Sequence, residues 1–367
     1  MSTDTLSNPD TDELQLTSPS WQRGEVELLC VEKWHETHDV ISFRFQGKSP
    51  VKFQFKPGQF LTFMLEINGA LTHRSYTISS SPSRPYSIVV TIKRIEGGLV
   101  SNYLAESLKI GDTILATGPD GVFNLVDITA RKFLFLSAGS GITPMYSMTR
   151  WLTDTKVGAD IAFLHCAKSP EDCIFKNDLD KINQNNPKLS LRYILESGIE
   201  RLPVGQVCRE GRVNGDNLAE LVSDFKDRTV FVCGPAPFMS GVQALLSELG
   251  FDMSQYHQES FGDSIVGGTG NVALPSVELS EEDGFMLSID DRQRVLTSDQ
   301  SLLEGIEAEG LPIIAACRSG VCGACKCQVI KGETESSSQM SLTPDEIAQG
   351  FVLACSTKLR SDVTLVL

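Results

Sequence analysis

Cys317-Arg318-Ser319-Gly320-Val321-Cys322-Gly323-Ala324-Cys325 places three thiols in a C-x4-C-x2-C spacing, and Cys355 follows nearer the C-terminus. That spacing, with a distant fourth cysteine, holds a [2Fe–2S] cluster. Four thiolates must converge on two irons from one tight loop. The small residues Ser319, Gly320, Gly323 and Ala324 let backbone N–H groups approach the cluster sulfurs. A structural zinc site is the competing reading, but such sites usually pair two short C-x2-4-C or C/H units. The expected metal ligands are therefore Cys317, Cys322, Cys325 and Cys355. Cys327 is not needed by the pattern and reads as a small buried strand residue beside the loop.

The remaining cysteines, Cys30, Cys166, Cys173, Cys208 and Cys233, are scattered, so the ten together suggest metal or redox work rather than a disulfide framework. With 41% apolar and 22% charged residues the composition is that of an ordinary globular protein. No apolar run approaches the ~20 residues that span a bilayer, and the acidic, Ser/Thr-rich start lacks the marks of a secretory signal. A cytoplasmic protein without membrane contact is expected. A net charge of −15 disfavours nucleic acid as a partner. From Leu274 onward 15 acidic residues face 7 basic ones, a balance that steers towards a basic partner or simply marks a solvated surface.

At 367 residues the chain exceeds one hydrophobic core, and three domains are expected. Residues 1–21 form a polar, disordered lead. Residues 22–125 alternate β-rich runs with turn signals, among them Val40–Phe45, Phe60–Leu65, Ser75–Ser79, Ser87–Lys93 and Asp112–Ala116, which suggests an antiparallel β-barrel. Residues 126–261 alternate strand and helix patterns, with strands at Phe133–Leu136, Ile161–Cys166, Leu191–Leu195 and Thr229–Cys233, which suggests an α/β doubly wound domain. A Gly/Ser/Thr-rich linker covers 262–275. Residues 276–367 form an α+β, β-grasp-like domain that carries the cysteine loop.

Two further stretches carry chemistry. Arg74-Ser75-Tyr76-Thr77 offers a fixed cation for a phosphate, a flat aromatic to lie on a ring and a hydroxyl to bond a ring nitrogen. By composition it is equally an ordinary strand ending in a turn. Gly97-Gly98-Leu99-Val100-Ser101 follows, where glycines let backbone approach a diphosphate. Gly139-Ser140-Gly141-Ile142-Thr143-Pro144 then lies between an apolar strand and a helix, so that amides and the helix dipole face an anion. Cys233-Gly234-Pro235 ends a second apolar strand at the sheet edge where ligands bind.

R-x-Y-[ST] followed by G-x-x-S, then G-x-G-x-T-P and C-G-P, resembles the ferredoxin–NADP reductase-like superfamily, here with a plant-type ferredoxin domain at the C-terminus. The resemblance spans about residues 22–367. It implies that Arg74, Ser75, Tyr76, Thr77, Gly98 and Ser101 bind FAD. It also implies that Gly139, Gly141, Thr143, Pro144, Cys233, Gly234 and Pro235 receive NADH as substrate, with Phe261 shielding the flavin. Tyr76, Thr77 and Cys233 are implied to flank the hydride transfer. The domain order and several local stretches resemble the NADH oxidoreductases that serve the hybrid cluster protein, which reduces nitric oxide or hydroxylamine, so this or another electron-accepting protein is the implied partner. Reductase components of Rieske-type oxygenases, which use FMN, share the order and are the alternative; a non-catalytic redox sensor is a further one.

Overall fold

The computed structural model of the chain describes residues 19–155, 158–261, 284–311, 313, 320, 325–339 and 342–367. The linker expected over 262–275 and the expected ligands Cys317 and Cys322 lie outside the described residues, as does most of the N-terminal lead. The chain divides into two compact units: one runs to Glu259, the other comprises Ser260 onward together with His73–Ser75.

The first unit opens with a curled antiparallel sheet. Ser20–Trp21 (β1), counted on sequence with the disordered lead, instead pairs in parallel with Lys52–Phe53 (β4). The reason is apolar: Trp21 is buried, packs edge-on against Phe53 at 5.6 Å, and its indole N–H reaches the Gly24 carbonyl at 3.0 Å. Gly24–His35 (β2), Val40–Gly47 (β3), Phe60–Ile67 (β5), Ala70–Thr77 (β6), Ile88–Lys93 (β7) and Thr113–Asp120 (β8) form six strands in the order β6-β5-β8-β2-β3-β7. A single bridge between Ile78 and Val90 draws the end of β6 to β7, so the sheet curls into a half-barrel whose two edges touch at one point. Phe43, Phe45 and Phe63 fill its interior, with Phe45 and Phe63 5.5 Å apart. One helix, Leu99–Ser107 (α1), follows β7.

The same unit continues into a six-stranded parallel sheet of Lys132–Ala138 (β9), Asp160–Ala167 (β10), Leu189–Leu195 (β11), Cys208–Glu210 (β12), Thr229–Cys233 (β13) and Tyr256–Glu259 (β14). Phe133 to Leu136 are all buried, as a central parallel strand covered on both faces requires. The helices are Ile142–Thr155 (α2), Lys176–Asn185 (α3), Gly215–Leu221 (α4) and Ala236–Glu248 (α5). The order β12-β11-β10-β9-β13-β14 shows the chain running outward from β9 and then returning to its other side. The crevice at the carboxyl ends of β9 and β13 is thus the topological switch point, where such sheets bind ligands.

The second unit is α+β. Gly284–Ile289 (β15), Arg292–Thr297 (β16), Lys326–Lys331 (β17), Phe351–Leu353 (β19) and Val363–Val366 (β21) form a mixed sheet, order β16-β15-β21-β17-β19, in which only β15 and β21 run parallel. Thr334–Ser336 (β18) and Thr357–Leu359 (β20) make a small second ladder. Leu302–Ala308 (α6), started by a Ser301–Glu304 capping box, lays Leu302, Leu303 and Ile306 onto Leu287, Leu296 and Leu365. A second capping box, Thr343–Glu346, starts Pro344–Ala348 (α7). Among the described residues no helix is long and apolar enough to cross a membrane.

Candidate functional site

The first cradle is built on β6 and α1. Arg74, Ser75 and Tyr76 are half-buried near the end of β6, and Arg74 donates to the Phe261 carbonyl at 3.4 Å. The Tyr76 ring leans on Phe63 at 5.7 Å, leaving part of it exposed. Thr77 is buried, and its Oγ1 has no hydrogen-bond partner among the described residues. A buried orphan hydroxyl is costly unless a ligand completes it, so this atom fits a flavin edge. Gly97 takes a φ of 70° and Gly98, whose amide bonds the Ile95 carbonyl at 2.9 Å, is the N-cap of α1 with no side-chain cap, so the cap leaves the first-turn amides of α1 to another acceptor. A Cβ on Gly98 would stand 2.7 Å from Ser101 Oγ and 3.1 Å from the Ile95 carbonyl, so a side chain there would displace the Ser101 hydroxyl from the turn. Ser101 itself is buried and accepts the Ile95 amide at 3.1 Å, which shapes the turn from within.

The second cradle lies at the switch point. After β9 the chain makes a short 3-10 turn over Gly139–Gly141, with Gly139 at a φ of 52°, and enters α2. Thr143, buried, returns its hydroxyl to the Ser140 carbonyl at 3.0 Å, and Pro144 stands in the first helical turn. A Cβ on Gly141 would lie 2.2 Å from the Cys233 carbonyl, and one on Gly234 would lie 3.1 Å from Ala138 Cβ. The two glycine turns expected to receive the nucleotide are therefore packed backbone to backbone, with Pro235 as the N-cap of α5 beside them. Cys233 is fully buried, and burial, reinforced by Glu259 opposite it in β14, pushes its thiol well above the ordinary range. It is a neutral packing group here, not a nucleophile or base.

Sequence reasoning missed two groups just behind this edge. Ser137 and His165 are fully buried on paired positions of β9 and β10 and hydrogen-bonded at 2.8 Å. Burial lowers the imidazole to about 3, so His165 is neutral. Only the sheet register brings these two together, and neither belongs to a motif. The two cradles are joined as well: the Gly139–Gly141 turn touches β7, and Ser147 of α2 donates to the Ser80 carbonyl at 2.6 Å, just beyond β6.

In the second unit Cys325 and Cys355 come together. The Cys355 amide points at Cys325 Sγ at 3.5 Å, and the Gly320 amide donates to Cys355 Sγ at 3.1 Å. Sulfurs facing backbone N–H groups suit thiolate ligands of a cluster, whose negative charge such donors stabilise. Cys327 is buried in β17, and burial pushes its thiol up to about 12, the behaviour of a core residue. Cys166 and Cys173 are likewise pushed up to about 12 by burial.

Three family models match in chain order: an oxidoreductase FAD-binding domain over residues 27–125, an oxidoreductase NAD-binding domain over 135–244 and a 2Fe-2S iron-sulfur cluster binding domain over 287–360. The glycine betaine monooxygenase reductase subunit of Chromohalobacter salexigens is 39% identical over 95% of this chain and 97% of its own length. The chain belongs to the NAD-dependent FAD and [2Fe–2S] reductases. Another relative of this reductase is the NADH oxidoreductase HCR of Escherichia coli, 34% identical over 85% of this chain and 89% of its own. Among solved structures the fold is shared with phthalate dioxygenase reductase, at a TM-score of 0.60 and 22% identity over 94% of this chain and 98% of that one. The reductase is thus an electron-transfer oxidoreductase that uses FAD, NAD and a [2Fe–2S] cluster.

Proposed function

We propose that the chain is the reductase component of a two-protein oxygenase, working in the cytoplasm with NADH. The end-to-end match with the glycine betaine monooxygenase reductase subunit supports this most directly, and points to an oxygenase acting on a quaternary ammonium compound. The hybrid cluster protein is the second candidate acceptor, favoured by the shorter match with HCR.

When bound, FAD converts a hydride into single electrons and the cluster relays them one at a time. The chain's residues supply position. In this reading Arg74, Gly98 and Ser101 hold flavin phosphates, Ser75 and Tyr76 lie along the ring system, and Thr77 Oγ1 hydrogen-bonds it. Gly139, Gly141, Thr143, Pro144, Gly234 and Pro235 shape the nucleotide turn, the neutral Cys233 packs beside the nicotinamide, and Phe261 shields the flavin. Cys317, Cys322, Cys325 and Cys355 hold the cluster. No side chain has to gain or lose a proton.

A preference for NADH is supported beyond β10. No arginine cluster follows β10, and of the two cations that could serve a 2′-phosphate, Lys168 and Lys176, the second is held by Asp180 at 2.6 Å and Gln206 at 3.0 Å. The test is an anaerobic titration with NADH and NADPH, followed by acid extraction of the flavin and mixing with each acceptor. FAD and a [2Fe–2S] spectrum bleached first by NADH, with electrons passing faster to the oxygenase than to the hybrid cluster protein, is the expected result. Faster delivery to the hybrid cluster protein reverses the assignment of partner, and released FMN removes the FAD reading.

A further inference from the structure

Three hydrogen bonds around Cys355 form a closed circuit. Ser356, buried, donates its hydroxyl to the Ser338 carbonyl at 2.9 Å; Ser338 donates its own to the Gly320 carbonyl at 2.6 Å; and the Gly320 amide donates to Cys355 Sγ at 3.1 Å. The chain from Cys355 to Ser356 completes the ring. Gly320 is buried at a φ of 73°, and a Cβ on it would stand 2.6 Å from Ser356 Cβ and 2.7 Å from Ser338 Cβ. Gly320 is therefore gripped at its α-carbon between two serines, on a backbone conformation that glycine adopts without strain.

We infer that Ser338 and Ser356 are positioning residues that set the reduction potential of the cluster by holding the Gly320 amide on Cys355 Sγ. The inference rests on Cys355 being a cluster ligand. Reduction adds one negative charge to the cluster, and an N–H aimed at a ligand sulfur stabilises the reduced state more than the oxidised one. A lone peptide in a loop would swing with thermal motion. Here the Gly320 carbonyl, which lies one peptide beyond the N–H, is held by the Ser338 hydroxyl, the Ser338 carbonyl is held by Ser356, and the Gly320 α-carbon is packed between the two serine Cβ atoms, so the backbone angles of Gly320 are fixed and its N–H is kept on the sulfur. Ser336-Ser337-Ser338 reads on sequence as a polar run, and its third hydroxyl gains meaning only from this tether.

The experiment is a potentiometric titration, followed by paramagnetic resonance, of the purified holoprotein and of Ser338→Ala and Ser338→Thr. Ser338→Ala is expected to keep its cluster but make it roughly tenfold harder to reduce, a fall of about 59 mV for one electron. Ser338→Thr, which keeps the hydroxyl, restores the original value, and the flavin potential stays constant in all three. An intact cluster at an unchanged potential in Ser338→Ala overturns the inference. Should that variant fail to assemble a cluster, the unmodified protein decides. Deuterium exchange must then reveal an exchangeable amide proton coupled to the reduced cluster, assigned to Gly320 by nitrogen-15 labelling, and its absence refutes the tether. A preparation with flavin but no cluster signal would instead sink the ligand assignment, a different failure.

Discussion

His165 is a base buried without charge. Its imidazole is lowered to about 3 by burial, while an unfolded histidine titrates near 6.5. Below pH ~6.5 the unfolded chain therefore binds a proton that the folded chain refuses, and stability is lost as pH falls, at up to roughly 1.4 kcal/mol per pH unit. Thermal unfolding midpoints between pH 7 and 4 are expected to fall less steeply in His165→Leu than in the parent; parallel curves would show that another group governs the acid limb. Gly141 makes the second prediction at this scale. Because an added Cβ would sit 2.2 Å from the Cys233 carbonyl, Gly141→Ala forces the two nucleotide turns apart. Misplacement of that kind costs about 10²-fold in kcat/KM for NADH, while the visible spectrum of flavin and cluster is retained. An unaltered kcat/KM would mean that these turns do not seat the nucleotide.

Among the elements, β1, only two residues long like its partner β4, is the most informative. Its two residues cover Phe53 with the buried Trp21, so the barrel's core begins earlier in the chain than composition suggests. Trp21→Ala is expected to cost about 3 kcal/mol of stability, the range for emptying a buried aromatic site. Denaturant midpoints check this, and a change below about 0.5 kcal/mol would place Trp21 in a solvated position instead. β2 was equally hidden. Glu25, Glu27, Glu32 and Lys33 interrupt its apolar pattern, yet it lies between β3 and β8 because Leu28 and Cys30 are fully buried on its inner face. By contrast β13 was legible to both ends and β9 over its apolar centre, Phe133–Leu136, since strands covered on both faces are apolar there. β14 was not, because Tyr-His-Gln-Glu carries no such run.

Across the whole first unit, the half-barrel and the parallel sheet are held by a clasp between the loop after β6 and α2. Ser147 donates to the Ser80 carbonyl at 2.6 Å, Ser83 to Asp154 at 2.5 Å, and Arg84 pairs with Asp154 at 3.3 Å. The loop continues the strand of Arg74 to Thr77, and the helix continues the turn of Gly139 to Gly141, so the clasp links the two candidate cradles. The Arg84–Asp154 pair is exposed and contributes little by itself, whereas the buried Ser147 hydroxyl leaves a carbonyl unsatisfied when removed. Ser147→Ala is expected to lower stability by ~1–2 kcal/mol and to slow flavin reduction by NADH, with Asp154→Asn much milder. Stopped-flow absorbance of the flavin reads the rate. A rate unchanged in Ser147→Ala would show that the cradles keep their spacing by apolar packing alone.

What the sequence determined by itself is whatever a ligand demands of neighbouring residues: the cysteine spacing of Cys317 to Cys325, the glycines at 139 and 141, and Arg74 beside Tyr76 and Thr77. A cluster or a diphosphate is small and rigid, so its requirements are written within a few residues of chain. The tertiary structure decided what depends on distant partners. Only folding sets Gly141 against Cys233, pairs Ser137 with His165, and threads the hydroxyl of Ser338 onto Gly320. Serines, histidines and glycines in such places look ordinary along the chain, because their roles come from the register of strands and the closeness of backbones that no local pattern encodes.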